Sequence, residues 1–536
     1  MIKAGVVAAA GMMGSCAQGR RWTEVEEREE DEGGSLSKFV QPLAIPEVLR
    51  PNPGETLEMV MGETRQVLHQ DLGQTQVWGY NGRHAGPTIE VQRNQPVRVR
   101  WFNRLPASHR LKIDHCMHGP HDYRDGGTHP QPRAVVHLHG AQVAPGSDGY
   151  PEATLLPGEA ATYDYPNAQP ASTLWYHDHA LGITRLNVYM GLAGLYLIRD
   201  GYEAKLNLPR GPFEVPLLIQ DRSFSASGSL RYPESWEEEF FGAAILVNGR
   251  VWPYLEVRPR KYRLRIVNGS NSRTYTLALD SGQSFYQIGT DGGLLEGPVE
   301  VNHLTLTAGE RADVVVDFSK RTGEVYLLNS APAPFPGAAE KGVIREIMQF
   351  RVRGSAGDDS GLPARFPALA RLRPEAAVKF RQFKLDMVEE DPKCTDPGFR
   401  WLINGLGWDD ITEYPELGST EVWSFFNLSP DVHPIHLHLV HFQILDHQQL
   451  LMDPEREGFY LPLTIPGAVP AAPAPNEAGW KDTFRSMPGT VTRIIAKFDG
   501  FTGKYPYHCH ILEHEDHEMM RQFQVVERTS RLNRKG

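Results

Sequence analysis

The sequence predicts an all-β protein of three consecutive β-sandwich domains. The first observation is a weak internal repeat: YNGRHAGPTIEVQRNQPVRVRWFNRLP from Tyr80, VNGRVWPYLEVRPRKYRLRIVNGSN from Val247 and INGLGWDDITEYPELGSTEVWSFFNLS from Ile403. Each copy opens on an Asn-Gly turn and closes on a strand that stops at Asn103, Asn268 or Asn427. A spacing of about 160 residues suits a sandwich domain with insertions. The second observation is period-two patterning. Val97, Val99 and Trp101 alternate with Arg98 and Arg100, and Tyr262, Leu264 and Ile266 with Arg263 and Arg265, so both segments read as strands buried on one face. The third is composition: 51 Gly and 41 Pro in 536 residues supply turns for many short strands.

In chain order, residues 1–37 read as a signal-like segment and a charged, disordered tail. MIKAGVVAAAGMMGSC has one Lys, a short apolar run and small residues up to Cys16. It resembles a secretory or lipoprotein signal, which would place the protein in the cell envelope or outside the cell with a lipid anchor at Cys16. The alternatives are a frayed cytoplasmic N-terminus or a spore-coat location. The three sandwiches are expected at 38–205, 206–353 and 379–528, with GSAGDDSGLP opening an exposed linker over 354–378 and a basic tail at 529–536. PGAVPAAPAP, from Pro466 to Pro475, is too rich in proline for a central strand and reads as a stiff surface loop.

A net charge of -11 leaves no broad basic surface, so nucleic acid is not an expected partner. The chain is expected to be a monomer. Four cysteines, Cys16, Cys116, Cys394 and Cys509, are too few and scattered for a disulfide framework. Cys116 and Cys394 pair only if the fold brings them together.

Chemistry concentrates in four His-x-His pairs: His137 and His139, His177 and His179, His436 and His438, His508 and His510. Residues two apart on a strand share a face, so each pair offers two imidazoles to one cavity. One such pair is weak, but two in the first unit and two in the third point to a shared metal centre. The last pair brackets Cys509 and precedes His514 and Met519, while His433 lies just ahead of the third pair. Two His, one thiolate and a weak axial thioether are the blue-copper ligand set, and zinc would not be expected to recruit the thioether. Along YHCHILEHEDHEMM, Cys509 faces opposite to His508 and His510, so one strand joins two metal centres.

With HLHG, WYHDHALGITRLNVYMGLAG, TDGGLLEGP, HPIHLHLVHF, GWKDT and HCHILEHEDHEMM, the chain from about residue 40 to 528 resembles the multicopper oxidases, and is most similar to bacterial spore-coat-type laccases and bilirubin oxidases. The resemblance implies three cupredoxin-like Greek-key domains and four copper ions. It implies a type 1 copper at His433, Cys509, His514 and axial Met519. A type 2 copper would take His137 and His436, and a type 3 pair His139, His177, His179, His438, His508 and His510. The implied reaction couples one-electron oxidation of phenols, aromatic amines or bilirubin-like substrates, near the surface at type 1 copper, to four-electron reduction of dioxygen to water. Loops near His514, Pro466 to Pro475 among them, would choose the substrate.

Glu515 and Asp148 match the family's acidic groups near the cluster and could supply protons; their other readings are a solvated acid at a helix start and a turn residue before Gly149. His303, the obvious strand histidine of the second unit, reads as structural. His115, His118, His121 and His129 read as solvated loop residues, and His441 and His447 as neighbours of the type 1 domain that do not ligate. One rival is a cuprous or other metal-ion oxidase, which would be favoured by a Met-rich insertion; the 13 Met here are spread thinly. A copper nitrite reductase would not need eight paired histidines. A non-catalytic cupredoxin-fold binding protein would lack cluster ligands, and this chain lacks none.

Overall fold

The computed structural model describes residues 36–114, 117–119, 132–355, 357–358, 360–388 and 399–528. The expectations for Cys16, Cys116, Cys394, His115, His121, His129 and the tail from residue 529 fall outside these residues.

The Asn-Gly repeat organises the architecture. At Asn81-Gly82, Asn248-Gly249 and Asn404-Gly405 both residues have positive φ, 50–60° for Asn and 67–74° for Gly, as a tight hairpin turn with the right twist requires. Each Asn side chain also accepts a backbone N–H from the first long strand of its unit: that of Val60, Leu218 or Lys384, at 2.7–2.8 Å. Those strands are Thr56–Gln66, Glu214–Phe224 and Lys379–Val388, and each pairs in parallel with the strand that closes the repeat: Val97–Arg104, Lys261–Asn268 or Ser419–Asn427. Asn103, Asn268 and Asn427 then act alike. Each accepts the N–H two residues on and donates to a distant carbonyl, that of Leu155, Leu306 or Ser486. The same polar side chains thus pin the same corner three times. Parallel pairing between strands that are not consecutive needs a crossover, which makes each unit a Greek key and not a meander.

Among the described residues the strands form six sheets, two in each third of the chain: five and four strands within 48–199, eight and five within 214–352, and six and five within 379–525. Each pair encloses a core, centred on Trp101 and Tyr176, on Leu264 and Phe350, and on Trp423 and Phe523. The segment ahead of the first sandwich lies along the second, with Phe39 and Leu43 donating to Trp252 and Tyr254 carbonyls. Linker residues are strapped to the third sandwich, where Gln443 bonds Leu372 N–H and Ala370 C=O. The proline loop pairs at Ala471 with His447. No helix among the described residues is long and apolar enough to cross a membrane.

Two expectations are corrected. The Val97–Arg104 strand alternates buried and exposed as patterned, but Arg263 and Arg265 are both only 2% exposed. They are held by Glu203, Glu214 and Asp313 at 2.5–3.0 Å, carboxylates far away in sequence that convert a polar face into a buried, neutralised layer. His303 is not on a strand; it is exposed between the strands Gly293–Val301 and Leu304–Leu306.

Candidate metal centre

The histidine pairs sit where two pairs of strands meet. In the first unit Val136–His139 runs antiparallel to Ser172–Asp178 with His137 opposite His177. In the third, His433–Leu437 runs antiparallel to Gly503–Cys509 with His436 opposite His508. This register puts both histidines of a cross-strand pair on one face. The two sets face each other across the boundary between the units: the rings of His137 and His438 stack at 3.8 Å, and those of His139 and His436 at 3.6 Å. All eight are buried to 1% exposure or less.

Their ring nitrogens divide into an outer and an inner set. Outward, His137 Nδ1 meets Asp148 O at 2.6 Å, His177 Nδ1 meets Asp178 O at 2.8 Å, His436 Nδ1 meets Asp482 O at 2.9 Å, and His508 Nδ1 meets Cys509 O at 3.0 Å. Carboxylates hold three more: Asp148 Oδ2 lies 2.7 Å from His438 Nδ1, Asp482 Oδ1 3.1 Å from His139 Nε2, and Glu515 Oε1 3.3 Å from His179 Nδ1. Inward, His179, His438 and His508 bring their Nε2 atoms within 3.2–3.3 Å of one another. His137 Nε2, His139 Nδ1, His177 Nε2, His436 Nε2 and both nitrogens of His510 have no hydrogen-bond partner among the described residues. Leaving buried nitrogens orphaned costs about 1–3 kcal/mol each. Convergent orphans, all but those of His510 on rings anchored at the far side, are what a metal centre demands.

A second site lies on the other face of the Cys509 strand. Cys509 Sγ is 3.6 Å from His433 Nδ1 and 3.7 Å from His514 Nδ1, and those nitrogens are 3.3 Å apart. The short helix Leu512–Asp516 carries His514 back over the strand, and the chain then returns so that Met519 O accepts Cys509 N–H at 3.0 Å. Met519 is fully buried. Ser429 holds the outer nitrogen of His433 at 2.8 Å.

Electrostatics suit a cation supplied from outside the chain. Burial holds His433 and His177 down to about 3. It also holds His137, His139, His179, His436, His438, His510 and His514 well below the ordinary range, so these imidazoles are neutral and offer lone pairs. Burial likewise pushes the Cys509 thiol up, which means that its thiolate needs a bound cation. The donor set of imidazoles, one thiolate and one thioether fits copper.

The chain belongs to the multicopper oxidase family. Three sequence models described as multicopper oxidase match residues 63–133 with 128–203, 227–348, and 389–529. The oxidase is 43% identical to a laccase of Bacillus subtilis over 521 residues, 92% of this chain and 99% of that one. It is 38% identical to a laccase of Haloferax volcanii, covering 92% of this chain and 86% of that one. Among solved structures it resembles the McoA multicopper oxidase of Aquifex aeolicus, with a TM-score of 0.74 and 28% identity over 91% of this chain and all of that one.

The structure brings the eight paired histidines into one cluster and His433, Cys509 and His514 into the other, with Met519 buried and bonded through its carbonyl to Cys509 N–H. Glu515 is no solvated acid: at 1% exposure it lies between His179 and His508, 3.3 and 3.1 Å from their Nδ1 atoms. Asp148 is equally buried and bonds His438. His441 bonds Gly140 O and His447 bonds Thr492; His118 lies 3.3 Å from Glu518. His514 is fully buried. The Trp401 ring lies 4.9 Å from that of His514, and Trp236 donates to Glu513 O at 2.9 Å with its ring 4.1 Å from that of His517. The GWKDT motif is visible in the sequence, but nothing there gives Asp482 a role; its contact with His139 spans 343 residues and leaves no local signal.

Proposed function

We propose that this chain is a laccase-type oxidase holding four copper ions. One would take His433, Cys509, His514 and Met519, one His137 and His436, and two His139, His177, His179, His438, His508 and His510. Copper, when bound, supplies one-electron couples that collect electrons singly from the reductant and deliver four of them, with four protons, to dioxygen to give two waters. The observation that carries this reading is the Gly503–Cys509 strand and its extension. Cys509 Sγ lies against His433 and His514, while the next residue back, His508, has its Nε2 3.2 Å from that of His179.

The chain's own residues then have distinct roles. The Cys509 backbone gives electrons a covalent route to His508 and His510 through two adjacent peptides. Asp148 orients His438 through its side chain and His137 through its carbonyl. Glu515, with both carboxylate oxygens free of other partners among the described residues, can hold a proton between His179 and His508 and pass it inward. Burial of the histidines and of the carboxylates around them, with Trp175 stacked on His177 at 4.2 Å, limits water and strengthens these electrostatic contacts.

Laccase relatives and the absence of a Met-rich run support phenols, aromatic amines or bilirubin-like tetrapyrroles as reductants. Oxygen uptake by copper-loaded protein, measured on a panel of a phenol, bilirubin and Cu(I) beside metal analysis, tests the proposal. About four coppers per chain with rapid uptake on the organic reductants is the expected result. One copper or none without uptake refutes the oxidase reading, and uptake on Cu(I) alone refutes the substrate class.

A further inference from the structure

Gly140 of HLHG, Asp291 of TDGG and Asp482 of GWKDT ligate no metal in the reading above, yet the structure brings all three to one buried arginine of the middle sandwich. Arg311 is fully buried, and each of its guanidinium nitrogens has an acceptor. Nε donates to Thr173 O at 3.0 Å in the first unit. Nη1 donates to Gly309 O at 3.2 Å and Asp482 Oδ1 at 2.5 Å. Nη2 donates to Asp291 O at 3.3 Å and Asp482 Oδ2 at 2.5 Å. The pair with Asp482 is a two-pronged fork, a geometry that lysine cannot reproduce. Asp291 Oδ1 accepts the Arg311 backbone N–H at 2.8 Å, which fixes the base of the side chain.

Asp482 passes that order on to two ligands at once. Its Oδ1 is 3.1 Å from His139 Nε2, and Thr483 Oγ1 donates to the same oxygen at 2.9 Å. Its carbonyl lies 2.9 Å from His436 Nδ1. A carboxylate gripped by Arg311 is an acceptor only, so His139 must carry its proton on Nε2 and turn Nδ1 inward. The carbonyl likewise puts the His436 proton on Nδ1 and turns Nε2 inward. Both inward nitrogens are orphans. His139 belongs to the first unit, His436 to the third and Arg311 to the second. The bare glycines follow from this packing. A Cβ on Gly140 would fall 2.5 Å from Asp482 Oδ2 and 2.6 Å from Arg311 Nη2, and one on Gly309 2.7 Å from His510 Cδ2.

We infer that Arg311 and Asp482 are a positioning pair through which the middle sandwich, which contributes no copper ligand, fixes the ring orientation and protonation of His139 and His436. This inference rests on the four-copper reading. It assigns the pair to the three-copper cluster and not to the type 1 site, which lies on the opposite face of the Cys509 strand.

The test is chelator titration of copper-loaded Arg311→Lys, Asp482→Asn and the milder Thr483→Val. The type 2 paramagnetic signal is followed beside the blue type 1 absorption, with Arg263→Lys as a control for a buried pair away from the cluster. Orienting groups of this kind change metal affinity by roughly 10–100-fold. Arg311→Lys and Asp482→Asn should therefore lose the type 2 signal at roughly 10–100-fold lower chelator, and Thr483→Val should move the same way by less, while the blue absorption stays at its wild-type midpoint. Loss of both signals together, in these variants and in Arg263→Lys, would reduce the pair to a general fold contact and overturn the inference. So would variants that hold the type 2 signal as tightly as the wild type. A wild-type protein with blue absorption and no type 2 signal would instead refute the four-copper reading, and the inference with it.

Discussion

Substituting Gly140 by Ala separates two costs that the structure assigns to one position. Gly140 has a φ of +87°, and a Cβ there would meet Asp482 Oδ2, Arg311 Nη2 and Leu174 Cδ2 at 2.5–2.9 Å. Gly54 has nearly the same φ, +81°, but a Cβ there would have nothing within 4 Å. The left-handed backbone alone costs an Ala about 1–2 kcal/mol. Forcing an atom into a packed interior costs about 1–3 kcal/mol more. Gly54→Ala should therefore lose about 1–2 kcal/mol and Gly140→Ala about 2–5 kcal/mol. Denaturant unfolding of both variants beside the wild type, at fixed copper loading, measures the two losses. The extra loss at Gly140 should come with easier release of type 2 copper, because Asp482 must retreat from His139. Equal losses at the two sites, or an unchanged type 2 site in Gly140→Ala, would refute the packing argument.

Three other outcomes follow from the same geometry. Glu515→Gln should slow reoxidation by dioxygen by roughly 10²-fold or more in stopped-flow measurements while anaerobic reduction of the blue site keeps its rate; equal slowing of both steps would reject the proton role. Met519→Leu should raise the type 1 potential, because the thioether stabilises the oxidised ion. A tenfold loss of that preference corresponds to about 59 mV, read by redox titration, and an unchanged potential would remove Met519 from the site. His84 is buried beside Arg222, and burial first, then that charge, holds it down to about 3 from an ordinary 6.5. It stays neutral in the fold and takes up a proton on unfolding. Its contribution is complete above pH 6.5 and is lost as pH falls toward 3, at about 1.4 kcal/mol per pH unit. His84→Gln should flatten the acid limb of the stability profile by that slope, and an unaltered limb would contradict it.

Much of this was legible in the sequence, for identifiable reasons. The His-x-His pairs and the Cys509 segment are local patterns whose geometry follows from strand pleating, so the residues that cluster could be named before the fold was known. The Asn-Gly turns and the closing asparagines Asn103, Asn268 and Asn427 are local as well. What failed to show was whatever depends on contacts between units. Arg263 and Arg265 alternate with apolar residues as exposed side chains do, and only the arrival of Glu203, Glu214 and Asp313 buries them. Nothing nearby in sequence marks Trp236 as a partner of the short helix that carries His514; its bond to Glu513 O spans 277 residues. Asp482 and Arg311 are 171 residues apart and in different sandwiches. Their pairing has no periodicity to betray it, although the GWKDT motif around Asp482 was conspicuous.

Everything said of the chemistry depends on one strand joining a mononuclear copper site to a three-copper cluster shared by the outer sandwiches. Diffraction from copper-loaded crystals at the copper absorption edge tests this most directly. Four anomalous peaks per chain are expected, one among His433, Cys509 and His514 and three enclosed by the eight paired histidines. A single peak at Cys509, with none between His179, His438 and His508, would contradict it.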